Sequence, residues 1–179
     1  MKGLEIAKQF YREWGEPYIK KNHPSVYDRM AVGRLAGSDV LGADDEVSMD
    51  HCWGPQFWLW LPNDDFDAYA TSLSKDLNNN APNPWNNYRL AGGGDKSVNV
   101  VKISEWLVSY IERESAPETE DEWKEVTKHE SALYFTRHGS IWHDGLGEMS
   151  DIRRKLRKYP ESVRISRLAE ECFRIWHHG

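Results

Sequence analysis

The chain has 179 residues, a length typical of one domain that can bury a core of its own. With 29% charged residues, a mean hydropathy of -0.76 and no apolar stretch near the roughly 20 residues of a membrane span, the composition indicates a soluble protein. The net charge of -6 argues against a general nucleic-acid binder, because nonspecific binding depends on a basic surface. A charged start without a signal-peptide core, and only two cysteines, predict a cytoplasmic location.

Apolar spacing predicts the first elements of the chain. Residues 4–18 carry apolar side chains at helical spacing, which predicts an amphipathic helix over about residues 3–21. Residues 22–25, which include a proline, are expected to end it. Two apolar runs follow, Met30 to Leu35 and Phe57 to Leu61, and each is typical of a buried strand.

The segment between these two strands combines a small-residue turn with a dense group of acids. Gly37 and Ser38 form the turn, and four acids follow within a stretch of seven residues: Asp44, Asp45, Glu46 and Asp50. The acids repel one another unless they are solvated or bound to a cation, and a solvated loop is the ordinary interpretation. The position between two core strands favours a site instead. Phosphate chemistry needs a backbone turn against the phosphate oxygens and carboxylates that hold a divalent cation beside them.

Helix and strand signals alternate in the middle of the chain. Residues 62–65 are expected to cap a helix, and a loop rich in Asn and Pro is predicted over residues 78–87. The turn from Gly92 to Gly94 precedes a strand predicted over residues 97–103. Its backbone amides could cradle phosphate, although a plain loop tip is the commoner role of such a turn.

The C-terminal part is predicted to be mainly helical. A short helix opens at Ser104, a longer one is predicted over residues 120–135, and a short strand follows over residues 140–143. Two final helices, between residues 148 and 177, are separated at Tyr159 and Pro160.

These final helices carry two candidate binding surfaces. The basic run from Arg153 to Lys158 could meet a triphosphate or an RNA acceptor. The simpler interpretation is a solvated helix face, whose positive charge is favoured near a helix C-terminus. Phe173, Ile175 and Trp176 are apolar at the end of the chain, and they predict an apolar face for a partner or for self-association.

The residues around the acidic segment resemble a known signature. Gly37 and Ser38, followed after a spacer of eleven residues by Asp50, are similar to the pattern of the nucleotidyltransferase superfamily, which has the DNA-polymerase-beta-like fold. That pattern is Gly-Ser after the first strand, a spacer, and Asp-x-Asp on the next strand. The run from Gly42 to Pro55 is more similar still to an uncharacterised bacterial branch of the superfamily, a domain of unknown function. Three later stretches, Asp144 to Glu148, Arg153 to Leu156 and Tyr159 to Arg164, match that branch loosely.

The resemblance implies an activity and the residues that carry it. It implies transfer of a nucleotidyl group from a nucleoside triphosphate to an acceptor, with Asp50 as the catalytic carboxylate. Mg2+ would be bound by Asp50 with help from Asp44 or Asp45, and the β- and γ-phosphates would be held by Gly37 and Ser38.

The chain departs from the signature at Cys52. This residue stands where the second metal carboxylate is expected, and a neutral thiol is a poor ligand for magnesium, which prefers oxygen. The superfamily often adds a third acid on a later strand, but the strand over residues 97–103 offers Asn99 and Lys102 there. Either another acid of the segment takes over a metal position, or transfer is weak, or the chain is a nucleotide-binding or regulatory protein without activity.

We therefore expect an α+β domain with a small mixed β-sheet flanked by helices, like the nucleotidyltransferase core, with C-terminal helices. Residues 1–147 should form the core, and residues 148–179 a helical segment packed on it within a single domain. The expected partners are a nucleoside triphosphate and an unknown acceptor, with no general nucleic-acid binding and no membrane. A protein-interaction module that uses the apolar C-terminal helix is the alternative from another class.

Overall fold

Four strands form one mixed sheet within the residues that the computed structural model describes, 2–35, 40, 54–90, 97–126 and 130–178. The strands are β1 (Ala31–Arg34), β2 (Phe57–Leu61), β3 (Val98–Lys102) and β4 (Ser140–Asp144), in the spatial order β3-β2-β1-β4. β1 is antiparallel to both β2 and β4, whereas β2 and β3 are parallel. The predicted α+β class with a small mixed sheet is confirmed, and β1 and β2 are the buried strands that the apolar runs predict.

The first predicted helix is confirmed, with one irregularity. The chain is helical from Gly3 to Asn22, as α1 (Gly3–Phe10), a π-helical turn (Tyr11–Gly15) and α2 (Glu16–Asn22), and α3 (Pro24–Tyr27) follows. Pro17 lies at the start of α2, directly after the π-helical turn. A proline within a helix removes a backbone hydrogen bond and crowds the preceding turn, and a wider π-helical turn accommodates it without ending the helix.

Six more helices are described, and three of them, α4, α6 and α7, differ from expectation. They are α4 (Asn63–Asn80), α5 (Ile103–Ile111), α6 (Glu120–Lys124), α7 (Glu130–Arg137), α8 (Glu148–Leu156) and α9 (Glu161–His178). α4 continues into the loop predicted over residues 78–87, because Asn78 and Asn80 donate from their side chains to backbone carbonyls one turn back. No side-chain hydrogen bond caps the start of α4.

The single helix predicted over residues 120–135 is wrong, because α6 ends at Lys124 and α7 begins at Glu130, with residues 127–129 outside the described ranges. Arg167 on α9 donates to the carbonyl oxygen of Val126, which a continued helix would use for its own backbone bond. A contact between distant parts of the chain therefore competes with continuation of the helix past Val126.

Helices cover both faces of the sheet, and alternate side chains of β2 belong to the core on one face or on the other. Phe57, Leu59 and Leu61 of β2 pack in a cluster with residues of α1, α2 and α4. Trp60 points to the other face, where it contacts Trp106 of α5 edge to face, with ring centroids 5.9 Å apart, in a cluster with α6, α7 and α8. Alternate residues of a strand point to opposite faces, so a central strand covered on both sides is apolar at nearly every position.

Within the described ranges, no helix combines the length and the apolar character needed to cross a membrane.

Candidate functional site

The end of β1 and the starts of β2, β3 and β4 lie together at one edge of the sheet. Arg34 at the end of β1 pairs with Ser140 at the start of β4, and Phe57 at the start of β2 pairs with Val98 at the start of β3. Because β1 and β2 are antiparallel neighbours, β1 ends where β2 begins. We call this the Arg34 edge. The connection from β1 to β2 leaves from it and returns to it, and the connection from α4 to β3 also arrives there.

The predicted site residues belong to the connection between β1 and β2, in a part of the chain outside the described residues: Gly37, Ser38, Asp44, Asp45 and Asp50. The same holds for Cys52 and for the turn from Gly92 to Gly94. Their roles stay predictions. Leu35, directly after β1, and Gly54, shortly before β2, are described residues at the two ends of this connection, and both are buried.

The Arg34 edge buries polar side chains next to the apolar core. Arg34 is 2% exposed, and Gln56 and Ser97 are buried as well. Asn78 of α4 holds the start of β3, because its side-chain oxygen accepts from the Val98 N–H (3.1 Å) and from the Ser97 hydroxyl (3.3 Å). Its amide nitrogen donates to the Val98 carbonyl at 2.9 Å. Buried polar groups are stable only when they are hydrogen-bonded, so these contacts fix the edge in one arrangement.

The chain enters β4 through a close contact with the end of β1. Gly139 has φ +79°, and a Cβ at this position would lie 2.4 Å from the Arg34 carbonyl oxygen, so only glycine fits. The Gly139 carbonyl in turn accepts a hydrogen bond from Arg153 of α8 at 3.2 Å. The Arg34 edge is thus connected directly to the basic segment of α8.

Arg153 closes the C-terminal end of α7. It is 8% exposed, and it donates to the carbonyls of Thr136 (3.2 Å), Arg137 (2.8 Å) and His138 (2.9 Å) as well as to Gly139. The last carbonyls of a helix have no partner within it and carry partial negative charge, so a buried guanidinium satisfies them. The solvated helix face expected for the basic run is therefore wrong for its first residue.

A cavity of about 260 Å³ opens beside Arg153. Its lining residues are Ser150, Arg153, Arg154, Arg157 and Lys158, and we call it the basic cavity. Burial of the Arg153 guanidinium, and then the nearby positive charge of Arg157, lower the pKa of Arg153 below its ordinary value. The cavity therefore concentrates positive charge that is partly removed from water.

The stretch from Asp144 to Glu148, one of the loosely matching stretches, has a structural role. The Asp144 carboxylate accepts from the Ser150 N–H at 2.7 Å and so caps the first turn of α8. A Cβ at Gly145 would lie 2.2 Å from the Asp28 carbonyl oxygen, and the Gly145 N–H donates to the Met30 carbonyl at 3.0 Å. This stretch therefore fixes α8, and with it the basic cavity, against the start of β1.

Acidic side chains gather at the opposite edge of the sheet. Burial, and then the charges of Asp144 and Asp65, raise the pKa of Glu148 above its ordinary value, while Asp65 pairs with Arg29 at 2.8 Å. Lys102 lies at this opposite edge too and pairs with Asp67 at 3.1 Å. Among the residues that the structure describes, no group of three or more His, Cys, Asp or Glu side chains is placed to hold a metal ion.

Sequence reasoning missed the buried role of Arg153, although a signal was present. Met149, Ile152 and Leu156 are the buried apolar positions of α8, and Arg153 lies four residues after Met149 and three before Leu156. Residues with this spacing share one helix face. A basic residue inside the apolar stripe predicts a buried, hydrogen-bonded guanidinium.

A family model described as a domain of unknown function (DUF4037) matches residues 123–179. The predicted similarity to an uncharacterised domain is confirmed for this part of the chain, which includes β4, the basic cavity and α9. The connection between β1 and β2 lies outside the matched residues, so the similarity to nucleotidyltransferases stays a prediction. No curated protein and no solved structure matches the chain.

Proposed function

We propose that the protein transfers a nucleotidyl group from a nucleoside triphosphate to an acceptor at a site on the connection between β1 and β2. One observation carries the proposal: β1 ends and β2 begins side by side at the Arg34 edge, with both strands buried. The pattern of the resembled superfamily, Gly-Ser after the first strand and, after a spacer, Asp-x-Asp on the next strand, needs such a pair of strands. Binding residues on loops gain precision from a rigid scaffold of this kind.

The residues of the connection have separate roles in this proposal. The backbone at Gly37 and the hydroxyl of Ser38 donate to the β- and γ-phosphates, because donors around these oxygens offset their negative charge. The carboxylates of Asp50, Asp44 and Asp45 form an oxygen donor set that suits magnesium, whereas the Cys52 thiol does not. Bound magnesium supplies charge neutralisation at the triphosphate. We expect the reaction in a reducing, cytoplasmic setting.

Calorimetric titration of ATP and GTP, each with and without magnesium, tests the proposal. Wild type should bind one of them with micromolar affinity only when magnesium is present, and Asp50→Ala should lose that binding. Asp121→Ala is the matched control, because Asp121 is an acid on α6 whose side chain is 91% exposed. The absence of binding to either nucleotide would refute the proposal.

A nucleotide-binding protein without transferase activity is the closest alternative, and Cys52 favours it. In that case wild type binds nucleotide without magnesium. Cys52→Asp separates the two possibilities, because a restored carboxylate should strengthen magnesium-dependent binding only where the remaining oxygens are arranged for the metal. An unchanged affinity in Cys52→Asp would place the metal elsewhere.

The surface of α9 favours a second function, self-association. Its large apolar side chains are exposed, with Trp176 at 79%; the others are Ile165, Leu168, Phe173 and Ile175. Ile165, Leu168, Cys172 and Ile175 are separated by three, four and three residues, a spacing that suits a second helix. The acids and arginines of α9 balance, with three of each between residues 161 and 174, unlike the basic face of a helix that lies on a membrane. We therefore propose a second copy of the chain as the partner.

Sedimentation velocity measures this self-association. Wild type should dimerise with rising concentration, and Trp176→Asp should remain monomeric. Arg174→Asp, which places the same acidic side chain on the opposite face of α9 from Ile165 and Trp176, should behave as wild type. A monomeric wild type at every concentration would remove this second function.

A further inference from the structure

We propose that the basic cavity binds the phosphate group of a small phosphorylated molecule. The cavity lies beside the Arg34 edge, but all of its residues are on α8 and the two positions that follow it. None of its lining residues belongs to the connection that carries the proposed nucleotide site. Phosphate binding in the basic cavity therefore does not depend on nucleotidyl transfer.

Most cations of the basic cavity lack the carboxylate partners that accompany partly buried cations elsewhere in this chain. Arg113 pairs with Glu122, and Arg137 and Arg167 both pair with Glu130. Among the residues that the structure describes, Asp151 is the one carboxylate that pairs with a cation of the basic cavity, and its partner there is Arg154.

Two of the remaining cations of the cavity donate to backbone carbonyls instead of to a carboxylate. Arg153 donates to backbone carbonyls, and Arg157 donates to the Arg137 carbonyl at 3.1 Å. The described part of the chain gives the Lys158 side chain no hydrogen bond or ion pair. The end of α7 offsets about half an elementary charge. Arg153 and Arg157, which contact that partial charge, and Lys158, which does not, leave the cavity positive in a protein of net charge -6.

The donors and the size of the cavity suit a phosphate group rather than a chain of nucleotides. Guanidinium groups present planar pairs of N–H donors that match two phosphate oxygens, and a lysine adds a point charge. The α7 carbonyls fix Arg153 in position, so little side-chain entropy is lost when an anion binds. A volume of about 260 Å³ holds a phosphate or diphosphate group. The acidic remainder of the surface disfavours a long polyanion such as RNA.

Titration of inorganic pyrophosphate followed by 31P NMR tests the proposal, at constant ionic strength and with EDTA present. Without magnesium, the magnesium-dependent site proposed at Asp50 does not contribute, and Asp50→Ala, measured in the same way, shows whether the connection between β1 and β2 binds pyrophosphate without the metal. The variants are Lys158→Gln and Arg157→Gln, which each remove one cation and leave Arg153 in place. Lys155→Gln is the matched control, because Lys155 lies on the same helix but pairs with Glu118 outside the basic cavity.

Saturable binding to wild type that weakens about tenfold in each cavity variant, and not in Lys155→Gln, is the expected result. Circular dichroism of every variant checks that the fold is retained. The proposal is overturned if pyrophosphate does not bind, or if all three variants lose affinity equally. It is also overturned if a single-stranded RNA binds through Lys158 and Arg157 while pyrophosphate does not.

Discussion

Replacement of Arg153 by methionine should destabilise the protein strongly, because one side chain holds the end of α7. The guanidinium donates to four consecutive backbone carbonyls, from Thr136 to Gly139, and is 8% exposed. Methionine has a similar length and keeps the packing against α8, but it donates no hydrogen bond. Arg153→Met therefore removes the hydrogen bonds with little change in volume.

The size of the effect follows from those contacts. A hydrogen bond from a charged group contributes about 1.5–3 kcal/mol, and a buried carbonyl left without a donor costs about as much. If water replaces the donor at two of the four carbonyls and the methionine side chain recovers some apolar burial, a destabilisation of about 3 kcal/mol remains. For a chain of this length, that corresponds to a fall in Tm of about 6–12 °C.

Urea unfolding followed by circular dichroism measures the difference, with Arg154→Met as the control. The side chain of Arg154 is 64% exposed and pairs with Asp151, and such surface pairs contribute less than about 1 kcal/mol. Amide hydrogen exchange should also quicken between Thr136 and Ser140 in Arg153→Met, because the end of α7 is released. If Arg153→Met and Arg154→Met unfold at the same urea concentration, Arg153 does not hold that end.

Three further predictions concern the surroundings of the site. Gly145→Ala should lower the free energy of unfolding by about 2 kcal/mol, since its Cβ would meet the Asp28 carbonyl oxygen at 2.2 Å; urea titration against the exposed Leu146→Ala checks it. Asn78→Ala should cost about 2 kcal/mol in the same assay, because it leaves the buried start of β3 without its side-chain partner. Burial, and then the hydrogen bond to Glu130, raise the pKa of Tyr159 to about 12. Ultraviolet titration of Tyr159→Phe should therefore show one fewer tyrosine that ionises at this high pH than titration of wild type.

The raised pKa of Tyr159 also fixes the sign of a pH dependence. The unfolded chain loses this phenol proton near pH 10, whereas the folded chain keeps it to about pH 12. The folded state therefore binds more protons in that interval, and its stability falls as the pH rises from about 10 to about 12. Tyr159→Phe should reduce this slope, and an unchanged slope would contradict the assignment.

Local sequence patterns were sufficient to predict those helices and strands whose structure depends mainly on their own residues. The helix from Gly3 to Asn22 and the strands β1 and β2 follow from apolar spacing, because one apolar stripe or run must be buried in any fold that the chain adopts. The separation of α8 from α9 at Tyr159 and Pro160 is of the same kind, since proline disfavours a continuous helix there. The α+β class follows from the mixture of these signals.

Contacts between distant residues decided the rest. In the gap between α6 and α7, the Val126 carbonyl accepts a hydrogen bond from Arg167, which is far away in sequence, and no local pattern encodes that contact. Likewise, the same six-residue basic run would be a solvated face if α7 did not end against Arg153.

For the candidate site, the sequence by itself determined which residue types could bind phosphate and magnesium, because that is a matter of donor chemistry. Only the tertiary structure decided that the end of β1, the starts of β2, β3 and β4, and the basic cavity share one edge of the sheet. Strand order and direction depend on how two apolar faces are buried at once, and that information is distributed over the whole chain.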